Sequence, residues 1–200
     1  PAKYVDMCSG PILRKMIVFT LPIMFSGLFQ LLFNATDIIV VGKFAGDNAL
    51  AAVGSNSALI NLMTNLFIGL SIGANVVAAR YCGAKNITEL RRTVHTAMTL
   101  SVISGFILMA AGLLFAEQIL RLMSTPESII GMAASYLRIY FCGMPFMMIY
   151  NFGNALLRAA GDTRRPLIYL ICAGVINVLL DLLFVILFNM SAAGVGLATT

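Results

Sequence analysis

The sequence predicts an all-α polytopic membrane protein, a bundle of transmembrane helices with five complete spans and a truncated sixth. Three observations carry this. Hydrophobic residues make up 60% of the chain and charged residues 10%, with a mean hydropathy of +0.95, where a soluble domain carries about 25% charged residues. Apolar runs long enough to cross a bilayer, about 20 residues each, recur along the chain. Basic residues bunch in alternate connections between those runs.

The first run covers residues 16–41 and contains a lone carboxylate, Asp37. It is no cleaved leader, because it is too long and no small-residue cleavage site opens a polar mature domain. Pro22 lies within it and removes a backbone donor, which favours a kink. The second run covers 49–79 and holds Gly69-x-x-x-Gly73, a small-residue pair that lets helix backbones approach closely. The third covers 93–116, with His95 at its mouth in a basic, interfacial flank. The fourth covers 129–157, with Pro145 as a second candidate kink and Arg138 as a snorkelling or gating arginine. A loop, Gly161-Asp162-Thr163-Arg164-Arg165-Pro166, separates it from the fifth run, 167–188, which holds Asp181. A sixth run starts near Ser191. Its ten residues to Thr200 rise only about 15 Å against a bilayer core of about 30 Å, so the helix is expected to continue beyond the chain. The opening Pro1 likewise leads us to expect a preceding residue or segment.

Sidedness follows from the loops. Lys3, Arg14 and Lys15, then Arg80, Lys85, Arg91 and Arg92, then Arg158, Arg164 and Arg165 fall on one side. Lys43 and Arg121 fall on the other. The positive-inside rule puts the N-terminus in the cytoplasm of a cell-membrane protein. The net charge of +5 therefore belongs to loops at a lipid bilayer, and no nucleic-acid partner is expected. Cys8, Cys82, Cys142 and Cys172 show no metal-ligand spacing and read as small apolar residues. The glycosylation-type triplets at Asn34, Asn86 and Asn189 fall in a helix, on the cytoplasmic side and against the membrane, so they carry little weight.

Asp37 is the one charged residue between Lys15 and Lys43, and Asp181 the one after Arg165. A charge at the bilayer centre costs at least about 2.5–3.5 kcal/mol, so such groups mark ion or proton paths. Ser26, Gln30, Asn34 and Asp37 share one helix face, as do Asn177 and Asp181, and as do Asn151, Asn154 and Arg158. Turned to lipid they would be unsatisfied, so the stripes should face one another or water. Counting from the outer helix ends puts Asp37 about 6 Å deep and Asp181 about 10 Å deep. Asp37, Asn177, Asp181 and Thr199 can then surround one site. Carboxylates and neutral oxygens are hard ligands suited to a small cation, with Asp37, Asn177 and Asp181 the candidate Na⁺ ligands, and the same pair can hold a proton. The competing reading is a buried polar pair that ties helices together. It weighs more for Asn151 and Asn154, because asparagine is common interhelical glue.

A faint internal echo pairs Asn34-x-x-Asp37 and Ala51-Ala52-Val53-Gly54 with Asn177-x-x-x-Asp181 and Ala192-Ala193-Gly194-Val195-Gly196, as in a duplicated helix pair.

At this level of detail the whole chain resembles the N-terminal lobe of a multidrug and toxic compound extrusion (MATE) transporter of bacterial type. The residues that carry the resemblance are Leu21-Pro22, Asn34-Ala-Thr-Asp37, Val41-Gly42-Lys43-Phe44, Ala49-Leu-Ala-Ala-Val-Gly54, Gly69-Leu-Ser-Ile-Gly-Ala74, Tyr136-Leu-Arg-Ile-Tyr140, Asn151-Phe-Gly-Asn154, Leu157-Arg158-Ala159 and Asn177-x-x-x-Asp181 with Leu197-Ala198-Thr199. The resemblance implies the first half of a twelve-helix, two-lobe antiporter whose own C-terminal lobe lies outside this chain. It implies export of cationic amphipathic drugs or toxic metabolites in exchange for H⁺ or Na⁺, with no cofactor. It assigns cation coupling to Asp37, Asn177, Asp181 and Thr199, helix bending to Pro22, and a substrate path to Gln30, Asn34, Asn151 and Asn154. Phe33 departs from relatives that carry a tyrosine one turn before the aspartate. Two rival readings compete. A flippase for lipid-linked oligosaccharides would need several inward basic residues for a pyrophosphate, and the helices offer Arg138. A polytopic membrane enzyme would need a catalytic cluster, and the chain has one histidine.

Overall fold

A computed structural model describes residues 12–187 and 191–199. Lys3, Cys8, Phe188 and the Asn189 triplet lie outside the described residues. The first helix, α1 (Ile12–Val40), passes without interruption through Pro22 and widens into a π-turn, Val41–Ala45. Gly46, at φ +84°, turns the chain into α2 (Asp47–Gly83), a conformation that glycine adopts at least cost. α3 (Ile87–Leu122) starts six residues before the apolar run does. The Asn86 side chain accepts the Glu89 backbone N–H at 3.2 Å, and Glu89 pairs with Arg92 at 2.8 Å. This cap extends the helix through polar residues that hydropathy alone ignores.

The fourth run is broken. α4 (Glu127–Cys142) and α5 (Met144–Ala159) meet at Gly143 with a 48° bend. Pro145 sits in the first turn of α5, where its missing N–H costs nothing, so the bend falls two residues ahead of the proline. α6 (Arg164–Leu182) also ends in a π-turn, Leu183–Leu187, and α7 (Ser191–Thr199) follows. Among the described residues, four helices are long and apolar enough to cross a membrane, or five with the bent pair as one.

The helices form two groups. α1 lies along α6, while α2, α3, α4 and α5 pack together, and α7 bridges α4 and α6. The larger group buries Leu59, Leu120, Leu137, Phe141 and Met148. A second cluster, Val40, Val41, Val53, Tyr136, Val185 and Val195, gathers the π-turns, α2, α4 and α7 at the end remote from the basic loops. Close helix approach depends on glycine, but not at the expected pair. Gly69 and Gly73 meet nothing within 4 Å among the described residues. Gly105 and Gly112 of α3 do the work instead. A Cβ on Gly105 would stand 2.5 Å from the Pro145 Cα, and one on Gly112 would stand 2.0 Å from the Phe141 ring. Asn56, fully buried, donates to the carbonyls of Ala52 (3.0 Å) and Ala133 (2.9 Å), and so ties α2 to α4.

Candidate functional site

The chain brings two polar sites to different levels of the bundle, and α1 contributes to both. The first lies toward the end remote from the basic loops. There the carboxyl groups of Asp37 on α1 and Asp181 on α6 meet within hydrogen-bonding reach. Asp181 is fully buried and Asp37 half-buried. Asp37 Oδ1 and both Asp181 oxygens are shielded, and no donor among the described residues satisfies them. Two carboxylates are acceptors only, so a stable contact between them needs a shared proton or a cation.

The neighbours of the pair are neutral. One turn before Asp181, Asn177 Nδ2 reaches Thr199 Oγ1 of α7 at 3.5 Å, and that hydroxyl donates to the Val195 carbonyl at 2.8 Å. Thr199 is thereby held as an oxygen facing α6. From α4, the buried ring of Tyr136 lies within electrostatic reach of both carboxylates and over Gly196 of α7, where an added Cβ would be 3.1 Å from the ring. In the sequence, Tyr136 opens the motif Tyr136-Leu-Arg-Ile-Tyr140 and carries no assigned role. Its position, two turns ahead of the Gly143 break on an otherwise apolar face, was the available signal. Phe33, one turn before Asp37, covers Gly174 of α6 rather than the carboxylates. Asp37, Asp181, Asn177 and Thr199 thus converge. Among the described residues no group of three His, Cys, Asp or Glu side chains forms a metal cluster, so any cation here would rest on these two carboxylates and on neutral oxygens.

The second site is a cavity of about 430 Å³ between α1, α2, α5 and α6. Its walls come from the middle of α1 (Phe19 to Gln30), the second half of α2, α5 from Tyr150 onward and the start of α6. Gln30, Asn151 and Asn154 line it. Asn34 does not: it is exposed and outside the lining. The stripe from Ser26 to Asp37 is therefore split, because α6 covers only part of that face. Asn75, Ser71 and Arg158 complete the polar wall. Asn75 donates to the Ala155 carbonyl and so links α2 to α5. Pro22 lies in the stretch of α1 that walls this cavity, and its carbonyl accepts the Ser26 hydroxyl at 2.9 Å. Arg138 and His95 are exposed and outside both sites.

Comparison with known proteins gives a consistent picture. The MatE family profile matches residues 22–183. A probable multidrug resistance protein of Bacillus subtilis, YoeA, is 36% identical over 183 residues, covering 91% of this chain and 40% of its own length. An FAD transporter of Shewanella oneidensis is 27% identical over 179 residues, covering 90% of this chain and 39% of its own. Among solved structures, the outward-facing conformation of a multidrug resistance MATE family transporter superposes with a TM-score of 0.91 at 26% identity. That match covers 99% of this chain and 44% of the other. The chain spans less than half the length of each of these proteins.

Proposed function

The chain belongs to the MatE family, and from that premise we propose that it is the first lobe of a cation-coupled multidrug exporter. It is a multi-pass membrane protein of a transporter family, not an enzyme. In our reading the basic loops and the N-terminus face the cytoplasm, and a second lobe completes the central path. The cargo is a drug or toxic metabolite with a cationic amphipathic body, driven out by inward H⁺ or Na⁺.

The observation that carries this reading is the Asp37–Asp181 contact on a helix that also walls the cavity. From Gln30 to Asp37 is seven residues, about 10 Å along α1. A proton or Na⁺ entering from outside neutralises the repulsion of the pair and draws α1 to α6. Asn177 and Thr199 supply neutral oxygens to the same ion. Because α1 is one continuous helix, a change at Asp37 displaces the cavity wall around Pro22, where the intrahelical ladder already lacks one bond. Binding of the cation and of the cargo are thus coupled through one element. Each net charge entering down about 100 mV supplies about 2.3 kcal/mol, and a one-for-one exchange with a monocationic cargo draws instead on the ion's concentration gradient.

The test is efflux of ethidium from proteoliposomes carrying the full-length protein, with Na⁺ and pH gradients imposed separately. Asp37→Asn should insert and fold yet lose gradient-driven efflux. Wild-type efflux by that variant would refute the assignment of Asp37, and efflux indifferent to both gradients would refute antiport.

A further inference from the structure

The cavity carries charge of one sign. Arg158, in the last turn of α5, is the one charged side chain among its lining residues, and the other polar groups there are neutral amides and hydroxyls. Arg158 is half-buried and makes no ion pair among the described residues. The acid nearest in the chain, Asp162, is unavailable to it. Asp162 is buried, its Oδ1 accepts the backbone N–H groups of Arg164 (3.2 Å) and Arg165 (3.1 Å), and its Oδ2 lies 3.1 Å from Arg165 Nε. Asp37 and Asp181 are outside the lining.

A guanidinium held in a partly desolvated wall with no counter-charge among the described residues is costly, and an anion entering the cavity relieves that cost. Its planar fork matches a carboxylate or phosphate with two parallel hydrogen bonds. Asn151, two turns earlier on the same helix, and Gln30 on α1 add amide donors to the cavity. We propose that this cavity binds the anionic group of the cargo, a single carboxylate or phosphate, through Arg158. A cationic amphipathic cargo that also carries one anionic group is then bound more tightly than a purely cationic one such as ethidium. The proposal deepens the exporter reading, on which it rests for calling the ligand cargo.

The test uses two fluorescent dyes of nearly the same shape, rhodamine B, which carries a carboxylate, and its cationic ethyl ester. Binding to the full-length protein is followed by fluorescence anisotropy in phosphatidylcholine nanodiscs. The wild type should bind the acid about tenfold or more tightly than the ester, the value of one charge-assisted bidentate contact. Arg158→Gln should remove that preference by weakening acid binding about tenfold, while ester binding holds or tightens. Arg158→Lys should keep part of it, because an ammonium supplies the charge without the fork. Equal binding of both dyes by the wild type, no binding of either, or an unchanged preference in Arg158→Gln overturns the proposal. Repeating the titration in phosphatidylglycerol nanodiscs separates the two sources of an anion. Abolition of the preference there assigns Arg158 to a lipid headgroup and overturns a cargo site. Dye preference without gradient-driven efflux would count against the exporter reading and leave the site standing. Thermal unfolding within a few degrees of wild type shows that the variants are folded, and Arg158→Lys serves as the conservative check.

Discussion

The ring of Phe33 rests directly on the backbone of Gly174: a Cβ built there would stand 2.0 Å from Phe33 Cε2. This contact joins α1 to α6 one turn before Asp37 and so sets how closely the two carboxylates approach. A side chain at 174 must push the helices apart. Gly174→Val should destabilise the full-length protein by about 1–3 kcal/mol through overpacking, and Phe33→Ala in the same chain should restore part of that. The check is thermal unfolding in detergent. A Gly174→Val protein as stable as wild type would mean that the helices do not touch here.

Asp181→Asn should raise stability while it lowers transport. The amide removes one of two facing acceptors and supplies a donor for the shielded Asp37 Oδ1. An unpaired buried acceptor costs about 1–3 kcal/mol, so the melting temperature should rise by a few degrees, at about 2–4 °C per kcal/mol for a chain of this size. Gradient-driven efflux should fall at least about tenfold. A lower melting temperature would show that the carboxylate pair is already satisfied.

Asn56 is a structural tie between α2 and α4, remote from ligand. Asn56→Leu keeps the volume and loses both donated bonds. The expected cost is about 0.6–1.7 kcal/mol, the range for interhelical bonds within membranes. Dye binding and efflux should stay within about twofold of wild type, and a selective loss of binding would instead place Asn56 on the transport path.

Asp162 caps the start of α6. Asp162→Ala should cost about 1–2 kcal/mol and speed amide hydrogen exchange at Arg164 and Arg165, whose N–H groups it accepts. Asp162→Asn should retain most of the protection, since the amide oxygen can still cap. Identical exchange in the alanine variant would mean that the cap is not formed in the membrane.

The all-α class and the membrane setting were readable because both are local sums. Twenty apolar residues in a row have the same meaning wherever the helix later packs. The singular cost of Asp37 and Asp181 was readable for the same reason, and parity of spans put them in the same half of the bilayer. Boundaries were less so. α3 begins at Ile87 because Asn86 caps it, a side-chain effect invisible to hydropathy. Likewise the bend of the fourth span lies at Gly143 rather than at Pro145, because a helix can start on proline but cannot run through one unaffected.

By itself, the sequence determined which residues had to find partners: two carboxylates, their asparagine and threonine neighbours, and the arginine at the end of α5. Only the tertiary structure decided which of them meet. It placed Asp37 against Asp181, split the α1 stripe so that Gln30 faces a cavity and Asn34 does not, and left Gly69 and Gly73 open while Gly105, Gly112 and Gly174 took the close contacts. The physical reason is that burial cost belongs to a residue and can be summed along the chain. Proximity belongs to a pair of helix faces, and is set by which of many shape-compatible packings brings the least steric conflict and the fewest unsatisfied groups.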